Sequence, residues 1–311
     1  MARFFSSSLA TYAVLAVMPL MFSSNLVIGR AAADALSPAT LAFWRWGLAF
    51  LCLIVLAAPL LKRHAQDVVR EAPTFVVLGF LGMVICGTFV YASLHHTTAT
   101  NATLIYTTSP IFIILLERIF RGRAFQWREW LGVILAIIGI AVVVSRGDLN
   151  AILSFDFNGG DLGILVAAIS WAVYSVVIKK KGVSELPTTL SFCIIAGAGT
   201  LLIVPNVAID AVSAHIVPQT VSQWLSVLAL AFVSALGAFG AYQYGIKRVG
   251  PATTGLFLYL LTPYGVLMSV LFLGERLHTF HTIGIILSLG GVILATLPRD
   301  IVARTASLKK Q

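Results

Sequence analysis

Asn25, Trp171 and Tyr174 stand within stretches of sequence that are otherwise apolar. Met18, Phe22 and Asn25 follow one another at spacings of four and three residues, so on a helix they share one face. Trp171 and Tyr174 also lie one helical turn apart. Such faces can hold an organic ligand, because an amide forms hydrogen bonds, methionine gives adaptable apolar contact and aromatic rings attract ammonium groups. The alternatives are a hydrogen bond between helices for Asn25 and simple core packing for Trp171.

The segments YTTSP and YLLTP each place a proline inside an apolar stretch. Proline removes a backbone hydrogen bond and frees a carbonyl about four residues earlier, which here belongs to Tyr106 or Tyr259. A freed carbonyl at membrane depth is tolerated only beside protein, hydroxyl groups or a water-filled cavity. We therefore predict that Pro110 and Pro263 are hinges and that both tyrosines border a cavity. A structural kink without a ligand role is the alternative.

The composition identifies the chain as a polytopic membrane protein. Hydrophobic residues make up 59% of the 311 positions and charged residues only 11%, against about 25% charged in a soluble domain. The net charge of +9 is spread over short loops, which argues against nucleic-acid binding. No phosphate-binding glycine loop and no nucleophile–base constellation occurs in the sequence, so neither ATP-driven work nor an enzyme is predicted. No catalytic residue, cofactor or metal is expected.

Stretches of about 20 apolar residues predict ten membrane-spanning helices. They cover about 9–30, 39–61, 73–94, 99–120, 129–146, 161–180, 187–208, 222–246, 251–273 and 280–298. Most of the 21 Lys and Arg residues fall on one side of this arrangement, which predicts that both termini are cytoplasmic. We expect an integral plasma (inner) membrane protein.

The second half of the chain repeats part of the first. Residues 91–110 align without a gap to 244–263. The alignment matches Tyr91 with Tyr244, Ala99 with Ala252, Thr100 with Thr253, Tyr106 with Tyr259 and Pro110 with Pro263. Five spans in each copy would make the second copy insert upside down. The predicted units are a first repeat at 1–146, an outer linker at 147–160, a second repeat at 161–298 and a cytoplasmic tail at 299–311.

Inverted repeats are typical of secondary transporters, whose substrates bind near the membrane midplane. The fold class predicted is therefore an all-α membrane protein with two inverted five-helix repeats around a central cavity. Tyr91 and its repeat partner Tyr244 join the candidate substrate-binding residues. His95, one turn after Tyr91, could gate the cavity or sense protons, or could be a solvated helix end.

Charged residues narrow the possible cargo. Arg45 is expected to extend to the membrane surface and anchor its helix, and Glu117 is expected to pair with Arg121. Without a secure cation at mid-depth, a phosphate carrier is disfavoured. Without a clear buried carboxylate, we favour facilitated or exchange transport over obligatory proton coupling. Glu275 and the HTFH segment after it have helical metal-ligand spacing, but an outer turn is a poor zinc site.

The stretches SPATLAFWRWGLAF (37–50) and LTPYGVLMSVLFLGERLHTFHTIGIILSLGGVIL (261–294) resemble the drug/metabolite transporter superfamily in its ten-helix EamA branch. The resemblance covers essentially the whole chain and implies export of amino acids or metabolites. The aromatic content resembles the YddG-type exporters of aromatic amino acids. A proton-coupled multidrug or quaternary-ammonium exporter is the alternative, and an intramembrane enzyme is a more distant one. The expected partners are a small-molecule substrate and the lipid bilayer; a monomer is the simplest oligomeric state.

Overall fold

The computed structural model describes residues 2–121, 127–148, 158–212 and 216–296. All regular secondary structure in these ranges is helical. Eight of the described helices are long and apolar enough to cross a membrane. Two shorter apolar helices, Trp130–Val144 and Thr279–Gly291, lie at the positions of the fifth and tenth predicted spans. An all-helical membrane protein is thus confirmed, while ten spans in inverted repeats stay a prediction. Most of the predicted linker and the whole predicted tail lie outside the described residues.

We label the helical units α1 to α10 in chain order and count an interrupted helix as one unit. Their bounds are Ala2–Ala32 (α1), Pro38–Arg70 (α2), Ala72–Leu94 (α3), Ala99–Tyr106 with Ser109–Arg121 (α4), Trp127–Val144 (α5), Gly159–Val177 (α6), Thr188–Asp210 (α7), Val221–Val249 (α8), Pro251–Phe257 with Leu258–Leu260 and Leu261–Leu273 (α9), and Thr279–Thr296 (α10). The second helix continues well beyond its predicted end at residue 61, with a kink at His64, where φ is −118° and ψ is 20°.

Helices α4 and α9 are interrupted beside the two prolines. In α4 the regular helix stops at Tyr106 and resumes at Ser109, and in α9 a 3₁₀ turn separates two α-helical parts. The Ser109 hydroxyl donates a hydrogen bond of 2.5 Å to the Tyr106 carbonyl, as a proline-freed carbonyl requires. The two interruptions meet in space, because the Thr262 hydroxyl donates to the Thr107 hydroxyl over 3.0 Å.

Helices α3 and α8 each contain a ten-residue π-helical segment, Phe80–Phe89 and Leu230–Phe239. Wider helical turns of this kind are rare and occur often at functional sites. Here each segment supplies one side chain, Cys86 or Phe239, to the same central cavity. The wider turns are not predicted by the sequence patterns.

Close helix packing rests on glycine. Helices α5 and α10 form the most extensive contact of the described chain, and α2 packs along α7. A Cβ atom on Gly291 would lie 2.5 Å from the Gly132 carbonyl oxygen, and one on Gly139 would lie 3.1 Å from the Gly284 carbonyl oxygen. Small residues at such crossings let helix backbones approach within the membrane.

Candidate functional site

A central cavity lies where α1, α3, α4, α6, α8 and α9 meet. Its lining residues are mostly apolar or aromatic, with one amide and one thiol: Phe22, Asn25, Leu26, Cys86, Tyr106, Trp171, Phe239, Leu258 and Leu261. Both interrupted helices contribute, through Tyr106 on α4 and through Leu258 and Leu261 on α9. The cavity therefore borders both helix interruptions.

The cavity is small in this conformation. Its volume is about 30 Å³, which holds roughly two water molecules. An amino acid is several times larger, so the helices must separate before one can enter.

Aromatic rings form the main wall. Trp171 stacks on Tyr174, with ring centroids 5.3 Å apart and planes 15° apart. Phe22 and Phe239 meet Trp171 edge-on at 5.4 and 4.9 Å. Tyr242 adds a tilted contact with Trp171 at 4.6 Å. This arrangement offers ring faces and edges to a planar apolar group, as aromatic clusters favour.

A chain of hydrogen bonds leads from the cavity to a buried charge. The Tyr91 hydroxyl donates to Asn25 Oδ1 over 2.8 Å. Arg45 Nη1 donates to the Tyr91 hydroxyl, also over 2.8 Å, and Arg45 Nη2 donates to the Ser234 hydroxyl over 3.0 Å. Asn25 thus combines a cavity position with a hydrogen bond between helices, the two roles that the sequence offers as alternatives.

Arg45 corrects the sequence-based prediction. Its exposed fraction is 0%, so the side chain does not extend to the membrane surface. The guanidinium carbon lies 4.5 Å from the Trp46 ring centroid and 5.6 Å from that of Phe239, which are cation–π distances. The reason is tertiary: aromatic and hydroxyl partners from other helices replace the water that an arginine would bind at the surface.

The structure brings seven of the predicted site residues into one connected group. Four of them line the cavity: Phe22, Asn25, Tyr106 and Trp171. Tyr91 contacts Asn25, and Tyr174 stacks on Trp171. Met18 is buried in the same apolar core. The roles of these residues in binding stay predictions.

His95 and Tyr244, which the sequence also proposes, lie outside the cavity lining. His95 is 4.0 Å from Asp34. The Tyr244 hydroxyl contacts the Thr11 hydroxyl at 3.2 Å, and the Arg248 guanidinium lies over the Tyr244 ring.

Tyr259 lies outside the cavity lining as well. It packs against a small separate cluster formed by Ile111, Val133 and Ala136. Tyr106 lines the cavity and its repeat partner Tyr259 does not, so the repeat alignment alone does not fix which side chains reach the cavity.

Five residues line the cavity without having been predicted to do so: Cys86, Phe239, Leu26, Leu258 and Leu261. Phe239 is the repeat partner of Cys86, 153 residues further on, so the repeat would have pointed to Phe239 only if Cys86 had been predicted. The others carry no chemical signal beyond that of an ordinary core residue.

Glu275 caps a helix at the end of the molecule that also carries Asp161, called here the acidic end. The Glu275 carboxylate accepts hydrogen bonds from the backbone N–H groups of Ala99 and Thr100 at 2.8 and 2.9 Å, at the start of α4. Gly274 directs Glu275 there by ending α9 with a left-handed φ of 64°. Glu275 is thereby occupied, and the described residues contain no group of three or more metal-ligand side chains.

Two polar contacts join the halves of the molecule at the acidic end. Glu275, in the second half, holds the start of α4 in the first half. Asn101 Nδ2, on α4, donates to the Asp161 carboxylate on α6 over 3.2 Å. The first turn of α4 is therefore fixed to both α6 and the end of α9.

At the opposite end, called here the basic end, one ion pair joins the halves. Lys180 Nζ lies 2.9 Å from Glu71 Oε2 and 3.0 Å from the Thr74 hydroxyl. The hydrogen bond from Lys180 lowers the pKa of the Glu71 carboxyl below its usual value. Glu117 does not line the central cavity. The side chain of Arg121, its predicted partner, lies outside the described residues.

Comparison with known proteins identifies relatives over almost the whole chain. The EamA-like transporter family matches residues 9–145 and again 158–297. A relative named "Uncharacterized transporter YyaM", from Bacillus subtilis, is 27% identical over 84% of this chain and 85% of its own. The "Uncharacterized inner membrane transporter YedA" of Escherichia coli K12 is 25% identical over 94% of this chain and 92% of its own.

A further relative has a more specific name. The "Probable terminal-alkyne amino-acid exporter" of Streptantibioticus cattleyicolor is 24% identical over 85% of this chain and 86% of its own. A solved crystal structure with 21% sequence identity covers 94% of this chain and 97% of its own, with a TM-score of 0.64. That similarity shows a shared fold.

Proposed function

This chain belongs to the EamA-like transporter family, and on that premise we propose that it exports amino acids and related metabolites by alternating access. Membrane transport of small solutes follows from the family. The cargo, the direction of transport and the mechanism are what we propose beyond that. The observation that carries it is the central cavity, where an aromatic wall and one amide meet between the two interrupted helices.

We further propose ten spans in two inverted five-helix repeats, with both termini cytoplasmic. Two successive matches to one family support the repeat. So does the packing, because α1 packs on α9 and α8 while α6 packs on the corresponding α4 and α3. The close contact of Gly139 with Gly284 likewise corresponds to that of Gly291 with Gly132. A pseudo-two-fold axis would produce each of these correspondences.

Alternating access would then open one end while the other stays joined. Hinges at Pro110 and Pro263 would let α4 and α9 bend where their backbones are already interrupted. Apolar and aromatic amino acids suit the cavity because Trp171 and Phe22 offer both stacking and ammonium contacts. The YddG-type preference for aromatic amino acids is the narrowest form of this proposal, supported by the wall itself.

The test is transport by purified protein in liposomes, with labelled phenylalanine, tryptophan, alanine and a quaternary-ammonium dye, each with and without a pH gradient. We expect downhill amino-acid flux that needs no gradient and is lost in Trp171→Ala. Trp127→Ala is the matched control, because Trp127 is 72% exposed and does not line the cavity. Flux of the dye alone, and only with a gradient, would instead identify the proton-coupled multidrug exporter.

A further inference from the structure

Arg45 is a buried positive charge that no carboxylate among the described residues neutralises. A guanidinium stays charged in proteins, and a charge in the membrane interior is costly without a partner. Within the described part of the chain, the hydrogen-bond and cation–π partners of Arg45 are hydroxyl groups and aromatic rings, and Arg45 forms no ion pair. Its Nε has no hydrogen-bond partner although it is buried. The molecule therefore holds an uncompensated positive charge beside its central cavity.

The hydrogen-bond chain has a fixed direction. Arginine can only donate, so the Tyr91 hydroxyl must accept from Arg45. The single proton of that hydroxyl is then free to be donated to Asn25, and the Asn25 atom that receives it must be the amide oxygen. The orientation of the Asn25 amide is therefore fixed by its neighbours.

The amide nitrogen of Asn25 therefore remains able to donate a hydrogen bond to a ligand in the cavity. Its oxygen is occupied by Tyr91, and no described residue accepts a hydrogen bond from Nδ2. Hydrogen bonds in such a chain polarise one another in a low-dielectric interior. The cavity thus presents a donor that is strengthened by a guanidinium two hydrogen bonds away, and the residues lining it include no carboxylate.

We propose that the chain formed by Arg45, Tyr91 and Asn25 recognises the carboxylate of the transported solute. The Asn25 amide donates to the carboxylate, and Arg45 supplies the balancing charge through Tyr91. Arg45 is a positioning residue in this account, because it does not itself line the cavity. The inference rests on the proposed amino-acid transport and restricts its substrates to solutes that carry a carboxylate. The positive charge of Arg45 excludes a purely cationic solute.

The test uses wild-type protein in liposomes and four aromatic solutes of nearly equal size as competitors of labelled phenylalanine. They are phenylalanine, 3-phenylpropionate without the ammonium group, phenylalanine amide without the charged carboxylate, and phenethylamine without any carboxyl group. We expect phenylalanine and 3-phenylpropionate to inhibit uptake at concentrations at least about tenfold lower than phenylalanine amide and phenethylamine. A factor of about ten in affinity is typical of a hydrogen bond to a charged group.

Variants separate recognition from folding. Asn25→Asp replaces the donor by a negative oxygen at nearly constant shape, so we expect phenylalanine to lose affinity and phenethylamine to gain it. Ser269→Ala removes a buried hydroxyl that donates only to the Gly265 carbonyl of its own helix and does not line the cavity, so this variant should keep the wild-type order of competitors. A merely structural role for Asn25 would weaken all four solutes equally.

The outcomes are distinguishable. Phenylalanine transport with equal competition by phenethylamine would overturn carboxylate recognition and leave the proposed function standing. Transport of the quaternary-ammonium dye with no phenylalanine flux at all would overturn the proposed function itself.

Discussion

At the scale of single residues, Arg45 carries a full charge into the protein interior without a carboxylate partner among the described residues. Replacing buried ionic groups by apolar ones of similar volume is often neutral or stabilising. Arg45 is therefore not expected to stabilise the folded protein. The free-energy cost of burying its charge is understandable if Arg45 serves substrate recognition.

This view predicts that Arg45→Met keeps or raises the thermal unfolding midpoint in detergent while amino-acid flux is lost. The apolar side chain removes the cost of the buried charge and also removes the charge behind Asn25. Arg63→Met is the control, because Arg63 is exposed and does not line the cavity. A lower unfolding midpoint together with flux that merely follows the amount of folded protein would assign Arg45 a structural role.

At the scale of helices, the interruptions beside Pro110 and Pro263 are predicted to be where α4 and α9 bend. Pro110→Ala and Pro263→Ala restore a backbone donor and should stiffen the helices. We expect an unchanged or higher unfolding midpoint and a several-fold slower flux. Pro59→Ala is the control, since Pro59 lies inside α2 on an exposed face. Equal flux in all three variants would exclude bending at these prolines.

The crossing of α5 and α10 offers a prediction about packing. A methyl group on Gly291 would lie 2.5 Å from a backbone oxygen of α5, so the two helices must separate. We expect Gly291→Ala to destabilise the protein by about 1–3 kcal/mol, as overpacking usually does.

Gly290→Ala provides the matched control. A Cβ at Gly290 meets nothing within 4 Å, and alanine favours helix over glycine. Thermal unfolding in detergent should therefore show Gly290→Ala at or above wild type and Gly291→Ala below it. Equal effects at both positions would mean that the two helices do not cross this closely.

Much of the helical organisation is predictable from the sequence. Hydropathy locates the helices, and the prolines of YTTSP and YLLTP locate both interruptions. The freed carbonyl of Tyr106 is expected to need a partner such as a hydroxyl group, and Ser109 supplies it. The π-helical segments and the rotation of each helix are not predictable this way, because one wider turn redirects every later side chain. Phe239 therefore escapes sequence-based prediction, and Tyr259 is expected at the cavity but packs elsewhere.

The burial of Arg45 shows a second limit. Its sequence neighbours Trp44 and Trp46 suggest a membrane interface, where an arginine commonly reaches water. The partners that retain it inside, Tyr91 and Ser234, lie 46 and 189 residues away in sequence. Only the tertiary structure brings them together.

At the scale of the whole molecule, contacts join the two halves at both ends. Glu71 pairs with Lys180 at the basic end, and Asn101 contacts Asp161 at the acidic end. In the described conformation the halves are therefore joined at both ends, and the cavity between them is small. Alternating access requires that the contacts at one end break while the contacts at the other end persist.

The ion pair at the basic end makes a pH-dependent prediction. The pKa of Glu71 is lower in the folded protein than in the unfolded chain. The ion pair therefore stabilises the folded protein at pH values above the usual carboxyl pKa, and this stabilisation is lost as the pH falls through the lowered pKa. Acidification should therefore lower the unfolding midpoint of wild type more than that of Glu71→Gln. Glu185→Gln, at an exposed carboxylate, should behave as wild type. Parallel pH curves for wild type and Glu71→Gln would contradict this role.

If the transported amino acid occupies the cavity between the two halves, it must shield the native thiol of Cys86. With Cys52 and Cys193 changed to serine, Cys86 is the sole thiol and lines the cavity. Labelling by a small water-soluble methanethiosulfonate should proceed as the transporter opens and should slow several-fold in saturating phenylalanine, but not in phenethylamine. Labelling that transported phenylalanine leaves unchanged, or a thiol that never reacts while transport continues, would contradict the account.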